Sequence, residues 1–124
     1  MTQTPYRVVI SGEIDVEPDK REKAILDAQP LIAAALAENG CVHYAWTADP
    51  ARPGRVHVFE EWDTEGDLIA HLKDQPYLKM AAHLAATGIL AAVTRKYRVD
   101  LVEPVYDPEG KPRGDFFTAV QASS

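Results

Sequence analysis

Cysteine is almost absent from this 124-residue chain. Cys41 stands alone, so no disulfide can form within one copy, and its place in an apparent strand reads as that of a small buried hydrophobe. Long apolar runs are also missing. The longest, Leu31 to Ala37 and Ile89 to Val93, fall far short of the ~20 residues that cross a bilayer. No charged segment leads into an apolar one at the N-terminus, so a cytoplasmic protein with no membrane partner is expected. Basic clusters are scarce: 13 Lys and Arg stand against 19 Asp and Glu, for a net charge of −6, and short pieces such as Arg95-Lys96 are all there is. Nucleic acid and anionic membranes are therefore not expected as partners. No glycine-rich turn joins a strand to a helix, which removes phosphate and dinucleotide loops. No His-x-x-x-His or Cys-x-x-Cys pair occurs; Cys41, His43 and His57 could share a sheet face, but no metal is expected.

What is present fits one domain with one core. From Arg7 to Val16, Val8, Ile10, Ile14 and Val16 alternate with polar residues, the period-2 signature of a strand. Pro18 and Asp19 open a helix, with Asp19 as its cap and Glu22 as the capping partner, and Asn39-Gly40 ends it. Pro30 should kink it or break it in two. Strands follow at Cys41–Thr47 and Arg55–Trp62 around a loop carrying Pro50, Pro53 and Gly54. A short helix capped by Asp63 or Thr64 runs to Leu72, and Gln75-Pro76 breaks it. An alanine-rich helix is predicted from Tyr77 to Val93, then a strand from Arg95 to Val102. The order β-α-β-β-α-β is the ferredoxin-like α+β arrangement, one four-stranded antiparallel sheet with helices on one face.

The other face needs a cover. Val42, Tyr44, Trp46, Val56 and Val58 alternate with Cys41, Ala45 and Phe59, so both faces of the middle strands carry apolar residues. A half-solvated sheet is polar on its outer side. A homodimer formed sheet to sheet is therefore expected. Residues 1–103 hold the domain. Residues 104–124, rich in Pro and Gly but carrying Phe116-Phe117, form an extension expected to be ordered and to dock on the dimer partner.

The run Gly40-Cys41-x-x-Tyr44, then Glu60-x-Trp62 with His71 nine residues after the tryptophan, resembles the antibiotic biosynthesis monooxygenase family over roughly Tyr6 to Val102. The resemblance implies a dimeric α+β barrel whose subunits oxidise phenols or quinols with molecular oxygen, without metal, flavin or haem. A phenol with a pKa of about 10 then needs a base and shelter from water. His71, whose unperturbed pKa of about 6.5 leaves it largely neutral at pH 7, is the candidate base, pointing toward the sheet with Leu68. Glu60 shares a strand face with Val56, Val58 and Trp62, and a buried carboxylate needs a partner: His71, Arg95 or a tyrosine hydroxyl. Trp62 and Tyr44 would position an aromatic ring, with Tyr77, Met80 and His83 lining the far wall.

Two departures narrow the implied chemistry. Haem-degrading relatives use an asparagine on the first strand, where this chain has Val9, Ser11 and Glu13, and polyketide-oxidising relatives carry an asparagine where Val58 stands. The expected activity is a cofactor-independent oxidation of a small aromatic substrate by oxygen. An isomerase of a small oxygenated metabolite, or a non-catalytic ligand-binding member of the same fold, uses the same pocket and stays open at this point.

Overall fold

The computed structural model describes residues 6–118. Four strands form one antiparallel sheet in the order β2-β3-β1-β4, the ferredoxin-like topology: β1 (Arg7–Asp15), β2 (Cys41–Ala48), β3 (Arg55–Trp62) and β4 (Ala91–Val99). The central strands bury one alternating set, Val8 and Ile14 on β1 and Val56, Val58 and Trp62 on β3, because that face meets the helices. Gly12 lies where β1 and β4 approach closely; a Cβ there would sit 2.7 Å from the Val93 carbonyl oxygen. Register places Tyr44, Glu60, Ile10 and Lys96 in one row across all four strands, on the helix-covered face.

The long helix α1 (Pro18–Leu36) runs unbroken through Pro30. Pro30 and Leu26 lie on its exposed side, where the carbonyl that loses its amide donor can be solvated, so the predicted break does not occur. Its start also differs: Glu17 occupies the cap without a side-chain bond, and Asp19 falls in the first turn. Ala24, Ala28, Ile32 and Ala35 form the buried stripe, small enough to bring the helix close to its neighbours. Thr64 caps α2 (Glu65–His71), its hydroxyl accepting the Asp67 amide at 3.0 Å. Asp74 caps α3 (Gln75–Thr87), so Pro76 opens this helix in its first turn. Gly88, at φ 94°, ends α3 well short of Val93. Ala92 and Val93 instead pair with Ile14 and Glu13, so β4 starts four residues earlier than predicted. None of these helices is long and apolar enough to cross a membrane.

A β-bulge between Cys41 and His43 changes which side chains share a face. Cys41 sits opposite Trp62 and packs against the core, whereas His43 and Thr47 pair with Glu61 and His57 on the outer face. The bulge therefore separates Cys41 from His43 and His57, the residues expected to share a face, and leaves Val42 exposed without a cross-strand partner. Among the described residues no group of His, Cys, Asp and Glu is arranged to hold a metal.

The outer face exposes Phe59, Val93 and Tyr97. Beyond β4 the chain organises locally. The Glu103 carboxylate accepts the amides of Phe117 at 3.0 Å and Thr118 at 2.8 Å, and Asp107 accepts those of Glu109 at 3.0 Å and Lys111 at 2.8 Å. Arg113 pairs with Asp115, while Val102, Val105, Tyr106 and Phe116 remain exposed. The end of the extension, residues 119–124, lies outside the described residues.

Candidate active site

Two turns bring the polar groups together. The Gly40 carbonyl accepts the Asp63 amide at 2.8 Å, and Asn39 donates to Asp67 at 3.1 Å, so the turn after α1 is stitched to the turn before α2. Gly40, at φ 79°, makes this approach possible. Glu38 from the first turn then meets His71 from the end of α2. His71 Nδ1 donates to Glu38 Oε1 at 2.7 Å, which fixes the ring and leaves Nε2 as its free nitrogen when the imidazole is neutral. The imidazole is packed on three sides: it lies tilted on Trp62 with centroids 4.5 Å apart, and meets Tyr44 at 5.7 Å and Tyr77 at 5.8 Å edge-on. The other oxygen of Glu38 is buried with no hydrogen-bond partner.

Glu60 lies one strand across from Tyr44 and is 8% exposed. Its carboxylate accepts the Trp62 indole N–H at 3.0 Å. Burial pushes the Glu60 carboxyl above the usual carboxylate range, and the Trp62 bond holds the rise back. Burial and the charge of Glu60 also raise the Tyr44 phenol. The Cys41 thiol is pushed up to about 11 by burial and by the charges of Glu60 and Glu38.

Above this row, a cleft of about 570 Å³ opens between the sheet and α2 and α3. Tyr44, Glu60, Tyr77 and Met80 form part of its wall, together with Trp46 and Leu68, and most of the lining is apolar. Trp62 and His71, 0% and 2% exposed, stand one layer behind this wall. His83 turns away: its Nε2 donates to the Ala24 carbonyl at 2.9 Å, tying α3 to α1, so it does not line the cleft as expected.

The cluster thus joins Tyr44, Glu60, Trp62, His71 and Tyr77, and it assigns their partners differently from the sequence reading. Glu60 is held by Trp62, and the carboxylate that orients His71 is Glu38. Glu38 was invisible in the sequence because it sits in a helix-stop segment 33 residues before His71 and reads as a solvated helix end. Lys96 and Thr94 on the cleft were missed too, because the predicted strand boundary placed Thr94 outside β4 and the alternation set Lys96 with the polar Arg98 and Asp100, opposite Tyr97, Val99 and Leu101.

Residues 7–83 match the sequence profile of the antibiotic biosynthesis monooxygenase family. An uncharacterized Synechocystis sp. protein is 33% identical over 70 residues, 56% of this chain and 47% of that protein, so the match spans about half the length of that relative. A candidate antibiotic biosynthesis monooxygenase from Deinococcus radiodurans superposes with a TM-score of 0.73 at 18% identity, over 81% of this chain and 99% of that one. A Bacteroides thetaiotaomicron protein of unknown function, offered as a candidate oxidoreductase, superposes with a TM-score of 0.69 at 23% identity, over 77% and 100% of the two chains. These superpositions establish the shared fold. With the profile covering more than half of its length, the chain belongs to the antibiotic biosynthesis monooxygenase family.

Proposed function

We propose that this protein is a cofactor-independent monooxygenase that oxidises an electron-rich phenol or quinol with molecular oxygen. The observation that carries the reading is a buried carboxylate of raised pKa, Glu60, on the wall of an otherwise apolar cleft. A phenol lying against Tyr44 and Tyr77 gives its proton to Glu60, and the resulting phenolate is electron-rich enough to pass one electron to oxygen. Recombination forms a peroxide on a ring carbon that carries hydrogen. Loss of that hydrogen and cleavage of the O–O bond leave a carbonyl and water. For a naphthol the sum is one naphthol and one oxygen giving one naphthoquinone and one water, with no outside reductant.

In this scheme Tyr44 stays protonated and can donate to the substrate oxygen. His71 does not touch the cleft, so its role is positioning, through its packing against Tyr44, Tyr77 and Trp62, the last of which holds Glu60. The working unit would be a homodimer stacked through the outer sheet face, with the C-terminal extension lying on the partner. The exposed Phe59, Val93 and Tyr97, and the unpartnered Val105, Tyr106 and Phe116, support that assembly.

Oxygen uptake by metal-free protein with naphthols, dihydroxynaphthalenes and anthrones tests the reading. Glu60→Gln keeps an acceptor for Trp62 and removes the base, so uptake should fall by roughly 100-fold or more; His71→Ala should weaken it less. Full uptake by Glu60→Gln, or none by the wild type with any phenol, would overturn it.

A further inference from the structure

We infer that the cleft selects an aromatic substrate bearing an acidic group opposite its phenol, with Lys96 as the residue that recognises the acid. This rests on the reading of the cleft as a phenol site and names the class of phenol. Tyr44, Glu60, Ile10 and Lys96 form one cross-sheet row on the helix-covered face. All four residues border the cleft. Adjacent strands lie about 4.8 Å apart, so Glu60 on β3 and Lys96 on β4 are separated by roughly 10 Å at the backbone. Ile10 between them is an apolar floor. That span matches a fused bicyclic ring with a substituent at each end.

The charges at the two ends differ in kind. Glu60 already has the Trp62 indole N–H. Lys96 has no ion-pair or hydrogen-bond partner among the described residues, although Arg7, Arg55 and Arg113 are each matched with carboxylates. Lys96 and Glu60 form no ion pair with each other. Arg95 also borders the cleft, but its register partner is Ser11, outside the row of Tyr44, Glu60 and Ile10, so Lys96 is the cation in line with Glu60. A neutral naphthol would satisfy Glu60 and Tyr44 and leave Lys96 facing the cleft unmatched. A hydroxynaphthoate places its carboxylate against the ammonium, keeping its hydroxyl at the Glu60 end and its rings on Ile10.

Calorimetric titration of the full chain with 6-hydroxy-2-naphthoate, its methyl ester and 2-naphthol tests this without turnover. The acid should bind about 10-fold more tightly than the ester. Lys96→Met should remove that preference and leave ester affinity unchanged, whereas Lys96→Arg should preserve it. Equal affinity for acid and ester, a preference that survives Lys96→Met, or absence of binding by all three ligands would overturn the inference. Selective acid binding without oxygen uptake would leave the inference standing and remove the oxygenase reading alone; uptake with neutral naphthols and no acid preference would do the reverse.

Discussion

Among the described residues, two carboxylate–imidazole pairs share the same short distance. Glu38 and His71 meet at 2.7 Å beneath the helices, and Asp49 and His57 meet at 2.7 Å where the β2–β3 loop crosses the outer face. Their surroundings separate them. The His71 side chain is 1% exposed and the His57 side chain 42%. Asp49 spreads its charge over three donors, since its other oxygen accepts the amides of Ala51 at 2.7 Å and Arg52 at 3.0 Å. Glu38 has only the His71 bond, and its second oxygen is buried with no partner. A carboxylate with several donors near water is a loop fastener. One held by a single buried ring, with its second oxygen unpaired and the buried Glu60 nearby, is an arrangement that folding alone does not favour. Burial of the ring and the count of donors, rather than the contact distance, distinguish the two pairs.

Truncation of the acid that holds the buried His71 should produce the largest effect. Glu38→Ala strands the Nδ1–H of His71 in the core, and the loss is expected to be about 2–3 kcal/mol, tempered because the orphaned Oε2 disappears with it. Urea unfolding should show a lower midpoint at an unchanged slope. Glu38→Gln retains an oxygen acceptor and should lose less than about 1 kcal/mol. If alanine and glutamine behave alike, the buried pair is no more demanding than the exposed one.

Cys41 reports on the same site from the side. With its thiol pushed up to about 11, it should react with iodoacetamide at pH 8 roughly 100-fold more slowly than an unperturbed thiol, as followed by intact mass. Glu38→Gln should speed the reaction, because one of the charges that raises the thiol is gone. A rate equal to that of free cysteine would mean that neither burial nor the negative field of Glu60 and Glu38 raises the thiol.

The difference between the pairs also explains what could be read from sequence. Strand alternation in Val8 to Val16 and the Glu60-x-Trp62 spacing are local, and they place the sheet, the buried Glu60 and Tyr44 correctly. Tyr44 shares a row with Glu60 because the bulge falls before it, between Cys41 and His43. The same bulge defeats the parity argument for Cys41, since one extra residue flips every assignment on its far side. The end of α3 was overrun because alanine-rich sequence continues helical composition past Gly88, where a positive φ stops the helix. Partners were the least legible feature. His71–Glu38 depends on two stitched turns, and Trp62–Glu60 on two residues of one strand satisfying each other, where a more distant partner was expected. Charge and spacing identify the groups that need partners; only the fold decides which partner arrives.

The smallest effect belongs to the exposed pair, and its pH dependence has a definite sign. His57 and the Ala51 amide hold the Asp49 carboxyl at about 2, against an ordinary value of 3.8. A carboxyl lowered by folding adds stability above its unfolded pKa, and that contribution disappears as pH falls through the folded value. Asp49→Asn should therefore be slightly less stable than wild type at pH 7, and the gap should close between pH 4 and pH 2 in thermal melts. Because Asp49 is near solvent, added salt should narrow the gap at neutral pH as well. A gap that stays constant down to pH 2 would assign the loss to altered loop geometry. In that case Asp49 would matter as an acceptor of the Ala51 and Arg52 amides, and its charge opposite His57 would add nothing to the fold.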